Sequence, residues 1–256
     1  MDVRLTYYEK PKLKNPVLIE GLPGVGGVGR IVLYYIVEKL KAKKFAELTS
    51  SYFFPLVLIS PEHEINTLKL ELYYYKGRKR DMIFVCGDSQ PVENKGYFTI
   101  CEKLLEVCRE YKVKEIVTVG GFGTGIEMEK PRVFGAVTDK KLVKKYGSCG
   151  VVFEEKSKIG SIYGISGLLL GLAKSEGISG CALLGETIGY PILTDPKASE
   201  EVVKVLINMF KLKVDLKAMD KSVKQLEDFL KELDEKTKHI THPSQKPCKD
   251  YTEYIG

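Results

Sequence analysis

Short runs of apolar residues without strict alternation recur along the chain, at Val17-Leu18-Ile19, Leu56-Val57-Leu58-Ile59, Met82-Ile83-Phe84-Val85, Ile116-Val117-Thr118-Val119 and Cys181-Ala182-Leu183-Leu184. Runs of that length predict central strands covered on both faces. Between them lie segments with helical spacing. Tyr97, Ile100, Cys101, Leu104, Leu105, Cys108 and Tyr111 form one apolar stripe, while Arg30–Leu40 is apolar almost all round, as in a sandwiched helix. Alternation of the two kinds predicts crossover units and an α/β fold with a mixed, mainly parallel sheet. Leu68, Leu70, Leu72 and Tyr74 alternate with polar positions and run into Lys76-Gly77-Arg78-Lys79-Arg80, which reads as a hairpin leading to the Met82 strand. The tyrosines at 73, 74 and 75 are expected to put at least one ring on the outer face.

Towards the C-terminus, Asp195-Pro196 supplies a capping carboxylate and a first-turn proline, followed by a stripe of Val202, Val203, Leu206, Ile207 and Phe210. Leu216, Met219, Val223, Leu226, Leu230 and Leu233 then repeat at heptad spacing. A helix over 215–238 would be roughly 36 Å long. Its seam must meet either its own domain or another subunit, since such a helix is not stable alone. After Ile240, prolines and small polar residues predict a flexible linker to the aromatic tip Tyr251-Thr252-Glu253-Tyr254-Ile255-Gly256. The expected organisation is a core domain over 1–212, a C-terminal helix for packing or oligomerisation over 213–240, and a flexible tail over 241–256.

Composition fits this picture. The 256 residues are 44% apolar and 29% charged, a balance that supports a sizeable core and excludes wholesale disorder. No stretch approaches 18 uncharged apolar residues, and the N-terminus lacks a secretory pattern, so a cytoplasmic protein is expected. The six cysteines are scattered without a C-x-x-C pair, which predicts reduced core thiols and no metal site. A net charge of +6 favours solubility more than nucleic-acid binding. The clusters at 76–80 and at Lys140, Lys141, Lys144 and Lys145 read as solvated surfaces.

Two glycine loops are candidates for chemistry. Gly24, Gly26 and Gly29 form G-x-G-x-x-G between a strand and a helix, with Glu47 downstream. Such a loop either holds an anion on backbone amides or permits close helix–strand packing. The phosphate-loop lysine is missing. The second loop, Gly120–Gly125, joins Gly87–Pro91 and Gly185–Pro191 at the strand ends where α/β ligand crevices form. Asp88, Gln90, Thr124, Glu127 and Glu186 could share that pocket, and two carboxylates there could divide acid and base roles. Turn chemistry explains the same residues. The scarcity of histidine and the absence of G-x-S-x-G and H-E-x-x-H disfavour a hydrolase, and no catalytic residue is assigned.

Val17–Gly26, Gly87-Asp88-Ser89-Gln90-Pro91, Pro131–Ala136, Gly164-Ile165-Ser166-Gly167 and Leu184-Gly185-Glu186-Thr187, in that order, resemble the archaeal proteasome assembly chaperone family, homologous to the eukaryotic proteasome assembly chaperone 2. The resemblance implies a phosphorylase/hydrolase-like α/β sandwich and a non-enzymatic homo-oligomer without cofactor that binds α subunits of the proteasome core particle. Tyr251, Tyr254, Ile255 and Gly256 would then be the partner-binding tip. The family's tail ends hydrophobic–tyrosine–any residue, whereas Ile255 is penultimate here, so the tyrosine ring is displaced by about 3.3 Å. The alternative is a nucleotide- or small-molecule-binding enzyme of phosphorylase or ligase type, using the loop at 21–29. RNA binding through the Lys140 and Arg78 clusters is a third reading.

Overall fold

A computed structural model describes residues 2–60, 62–154, 159–189, 194–216 and 219. In chain order the elements are β1 (Val3–Tyr7), β2 (Val17–Glu20), α1 (Val28–Lys39), β3 (Lys43–Ser50), β4 (Val57–Ile59), β5 (Ile65–Thr67), β6 (Lys69–Tyr75) and β7 (Met82–Gly87). They continue with α2 (Asn94–Glu110), β8 (Glu115–Gly123), β9 (Val133–Val137), α3 (Val143–Gly147), α4 (Ile165–Ser175), β10 (Ser179–Thr187) and α5 (Pro196–Phe210). One 8-stranded sheet has the order β1-β3-β6-β7-β2-β8-β10-β9. Its centre, β7-β2-β8-β10, is parallel, and antiparallel strands extend both flanks.

Both faces of the parallel centre are covered, which explains its continuous apolar runs. Val17 and Ile19 face the layer built by α1 and α5, whereas Leu18 faces the layer built by α2 and α4. The first layer buries Ile31, Val32, Ile36, Val202 and Leu206; the second buries Ile100, Leu104, Cys108 and Leu169. Cys86, Cys101, Cys108 and Cys181 are free, buried thiols within these layers. Asp195 caps α5 as the sequence predicts, accepting from the Ala198 amide at 2.9 Å.

Two expectations need correction. Leu56–Ile59 does not form a central strand, because β4 pairs only with β5 in a separate two-stranded hairpin. Leu58 packs on the core while Val57 and Ile59 face solvent, so an apolar run short enough for one strand lies at the surface. None of the three tyrosines stands free of the body. Tyr73 and Tyr75 pack against the α1 layer, and Tyr74 meets Phe45 edge-on at 6.0 Å on the other. The position of β6 two strands in from the edge, between β3 and β7, gives it two covered faces. The strands β1 and β3 carry weak apolar patterns and β9 is a short apolar run interrupted by Gly135; all three are held in the sheet by pairing.

The start of the heptad segment is described. Met219 is buried and Leu216 half-buried in the core between α1 and α5, so these two seam positions pack within the chain. The Tyr35 hydroxyl donates to the Asp215 carbonyl and fixes the same junction. Val223, Leu226, Leu230, Leu233 and the tail residues Tyr251, Tyr254, Ile255 and Gly256 lie outside the described residues.

Close approach of α1 to the sheet requires Gly29, where a Cβ would stand 2.6 Å from the Val119 carbonyl oxygen and 2.8 Å from that of Leu22. Gly171, in α4, has open space around it. Gly29→Ala is expected to lower the melting temperature by many degrees. Gly171→Ala should raise stability by about 0.5–1 kcal/mol through helix propensity alone. Equal effects in thermal melts would refute backbone contact as the reason for Gly29.

Candidate functional site

The loops that follow β2, β7, β8 and β10 meet at the C-terminal edge of the parallel strands, where the sequence places a crevice. The first glycine loop is built for packing. Gly24 is extended, Gly26 and Gly27 both have φ 61, and α1 starts at Val28. A Cβ on Gly26 would lie 2.7 Å from Thr187 Oγ1, so the loop presses onto the end of β10. The dinucleotide pattern fails structurally as well. Glu47 lies in β3, which is separated from β2 by β6 and β7, and forms ion pairs with Lys44 at 3.2 Å and Lys69 at 3.6 Å.

The polar candidates at this edge hold the fold together. Gln90 Nε2 donates to the Pro23 carbonyl at 2.6 Å, and Gln90 Oε1 accepts from the Ile165 amide at 3.0 Å. One side chain thus joins the glycine loop to the first turn of α4. The Thr124 hydroxyl lies 3.2 Å from both the Ile126 carbonyl of its own turn and the Thr187 carbonyl at the end of β10, and its one proton is shared between them. Glu127 is exposed and pairs with Lys197 of α5 at 3.2 Å. Asp88 lies 3.8 Å from Arg30 and accepts from the Lys69 amide at 3.3 Å. Burial raises its carboxyl above the usual range despite the nearby guanidinium.

Glu186 is the most committed. Its carboxylate accepts from Arg132 Nη2 at 2.9 Å, from Nε at 3.0 Å and from the Arg132 amide at 3.2 Å. This two-pronged pair is the strong, directional type. Arg132 also reaches Glu154 at 3.3 Å and lies over the Phe134 ring at 4.7 Å. Asp88 follows Cys86 on the α1 face, whereas Glu186 follows Leu184 on the α4 face. The sheet therefore separates the two carboxylates that the sequence proposed as an acid–base pair.

A different carboxyl group, Glu20, carries the unusual electrostatics. It ends β2, is fully buried, and accepts a hydrogen bond from Ser166 Oγ at 2.9 Å. Burial, partly offset by Ser166, pushes its carboxyl up to about 8, so the group is largely protonated at neutral pH. Thr118 is its in-register neighbour on β8. Among the described residues, neither Glu20 Oε1 nor Thr118 Oγ1 has a hydrogen-bond partner. The sequence signal was an acid closing the apolar run Val17-Leu18-Ile19. Ser166 belongs to the Gly164–Gly167 motif, which forms the entrance to α4.

The surface has its own candidate. Val57, Ile59 and Ile65 on the β4–β5 hairpin are 47%, 55% and 72% exposed. Neighbouring large apolar side chains left in water mark an interaction site more often than single ones do.

Comparison with known proteins gives a consistent result. Residues 18–234 match the model of the PAC2 family. An uncharacterized protein of Methanocaldococcus jannaschii, MJ1210, is 33% identical over 246 residues, covering 95% of this chain and 93% of that protein. The crystal structure of Pyrococcus furiosus PbaB, described as an archaeal proteasome activator, superposes with a TM-score of 0.82 at 36% identity, covering 91% of this chain and 99% of that one. Pyrococcus furiosus PbaA, described as an archaeal homolog of proteasome-assembly chaperone, superposes with a TM-score of 0.75 at 28% identity, covering 94% and 100%.

The raised Glu20 carboxyl has a pH signature. Its stabilising contribution is complete below the ordinary value of 4.5, declines as pH rises towards 8, and changes little above that. Glu20→Gln cannot ionise, so its stability relative to wild type should improve by about 1.4 kcal/mol per pH unit within that window at most. Denaturant melts of both proteins between pH 5 and 9 measure the difference. A gap that stays constant over the range would show that Glu20 is not a buried neutral acid.

Proposed function

The chain belongs to the PAC2 family, and from that premise we propose that it is a cytoplasmic, homo-oligomeric, non-enzymatic scaffold of the proteasome assembly chaperone type. The observation that carries this reading is the commitment of Glu186, Asp88, Gln90 and Thr124 to internal bonds at the strand-end edge, while apolar side chains stand in water on the β4–β5 hairpin. Residues spent on holding loops together are poor catalysts, and an exposed apolar hairpin suits contact with another macromolecule. No helix among the described residues is long and apolar enough to cross a membrane.

In this reading, self-association uses the hairpin face together with the seam positions Val223, Leu226, Leu230 and Leu233. The tip carrying Tyr251, Tyr254, Ile255 and Gly256 reaches the α subunits of a proteasome core particle. Several tips on one oligomer raise the effective concentration of each remaining one after the first has docked, so weak single contacts suffice.

Deletion of residues 241–256 should leave oligomer size and melting temperature unchanged and cut core-particle binding at least tenfold in a pull-down or surface-binding assay. Undiminished binding by the truncated chain removes the tip from the mechanism. Val57→Glu with Ile65→Glu, and separately Leu226→Glu with Leu230→Glu, should each reduce the sedimenting mass. A double variant that keeps the wild-type mass places its pair outside the subunit contact.

A further inference from the structure

A cavity of about 630 Å³ opens at the other end of the parallel strands, remote from the glycine loops. It lies between the β6–β7 turn, the first residues of β7 and β8, α3, and the segment leaving α5. Its volume falls within the range of small-molecule sites, about 300–1,000 Å³. The walls combine two chemistries. Met82, Tyr146 and Leu212 are buried beneath the surface, and Tyr75, Met209 and Phe210 are half-buried, giving an apolar floor with two accessible aromatic rings. The basic members of the lining are Arg78, Lys79, Arg80, Lys145, Lys211 and Lys213, against one carboxylate, Glu115. Six cations less one anion leave a formal surplus of five.

Glu115 anchors the base of this cavity. It accepts from Arg80 Nη1 at 2.6 Å, Lys145 Nζ at 2.7 Å and the Tyr146 hydroxyl at 2.8 Å. Burial opposes its charge, but these three donors hold it below the usual carboxylate range. Arg80 also donates to the Asn15 and Pro16 carbonyls, so the turn is tied to the body. Arg78, Lys79, Lys211 and Lys213 have no ion-pair partner among the described residues. The sequence presented Arg78, Lys79, Arg80 and Lys145 as parts of two separate solvated clusters; the fold gathers them, with Lys211 and Lys213, around one hollow.

We propose that this cavity binds a nucleoside phosphate, with the phosphates against Arg78, Lys79, Lys211 and Lys213 and the flat base against the half-buried rings of Tyr75 and Phe210. The surplus of unpaired cations selects a polyanion rather than a neutral ligand. Aromatic rings beneath them select a ligand that also carries a planar apolar group. The volume accommodates a small molecule and excludes a folded partner. The inference is independent of the proteasome reading, since the site uses neither the hairpin nor the tail.

The probe is ADP, titrated calorimetrically into the full-length protein beside adenosine and pyrophosphate. ADP should bind with a Kd below about 1 mM and at least tenfold more tightly than either half alone, a gain of about 1.4 kcal/mol. Arg78→Glu with Lys79→Glu, both exposed on a turn, should weaken ADP at least tenfold. Lys211→Glu with Lys213→Glu provides a second variant should the first fail to fold. Lys10→Glu with Lys12→Glu, remote from the cavity, should change affinity by less than about twofold. The proposal is overturned by absence of saturable ADP binding, by pyrophosphate matching ADP, or by equal losses in the remote and cavity variants. Binding of an oligonucleotide without ADP binding would likewise reject it in favour of an open basic surface.

Discussion

Complete burial of the parallel strands β7-β2-β8-β10 is the constraint on which the rest of the molecule depends. A strand covered on both faces carries few polar side chains, because an unpaired buried group costs free energy. Helices must therefore approach both faces closely, and α1 does so by leaving no side chain at Gly29, against the Val119 and Leu22 carbonyls. The same requirement tightens the loops at the strand ends. Gly26 lies under Thr187, and Gln90 bonds to both the glycine loop and α4.

This constraint decides the chemistry available at the strand-end edge. Acids that could have formed a catalytic pair are divided between the two faces of the sheet. Arg132 engages Glu186 on one face, and Asp88 stands by Arg30 on the other. Glu20 is an acid held in the core with one hydroxyl donor, and desolvation keeps it neutral when an exposed carboxylate would be charged. At the opposite edge Glu115 is also buried, yet its three donors favour the charged form. Two buried glutamates thus hold opposite protonation states for a reason visible in their partners.

With its interior bonded in this way, the protein is free to act at its surface. The β4–β5 hairpin stands outside the main sheet and carries apolar side chains into water, while Leu56 and Leu58 root it in the core. The basic cavity uses the N-terminal ends of the strands, the edge that the glycine loops leave untouched. A PAC2 body of this kind separates a rigid sandwich from the surfaces on which contacts can be made.

The sequence by itself determined the elements whose signals are local. Short apolar runs marked β2, β7, β8 and β10, a longer stretch apolar almost all round marked α1, helical periodicity marked α2, and Asp195-Pro196 marked the start of α5. It also placed Asp88, Gln90, Thr124 and Glu186 at one sheet edge, since strand ends follow from strand positions. Tertiary structure decided which face each residue occupies and what it meets there. Alternation along the strands put Asp88 and Glu186 on opposite faces of the sheet, and strand order removed Glu47 from the glycine loop. Pairing created β1 and β3 from weakly apolar sequence, while the run at Leu56–Ile59 went to the surface although its local pattern matched that of buried strands. Charges far apart in sequence, at Arg78, Lys145 and Lys211, became one cavity wall because three separate connections end beside the same strand termini. Periodicity is a property of neighbouring residues; a site is a coincidence of distant ones, and only the folded chain fixes that coincidence.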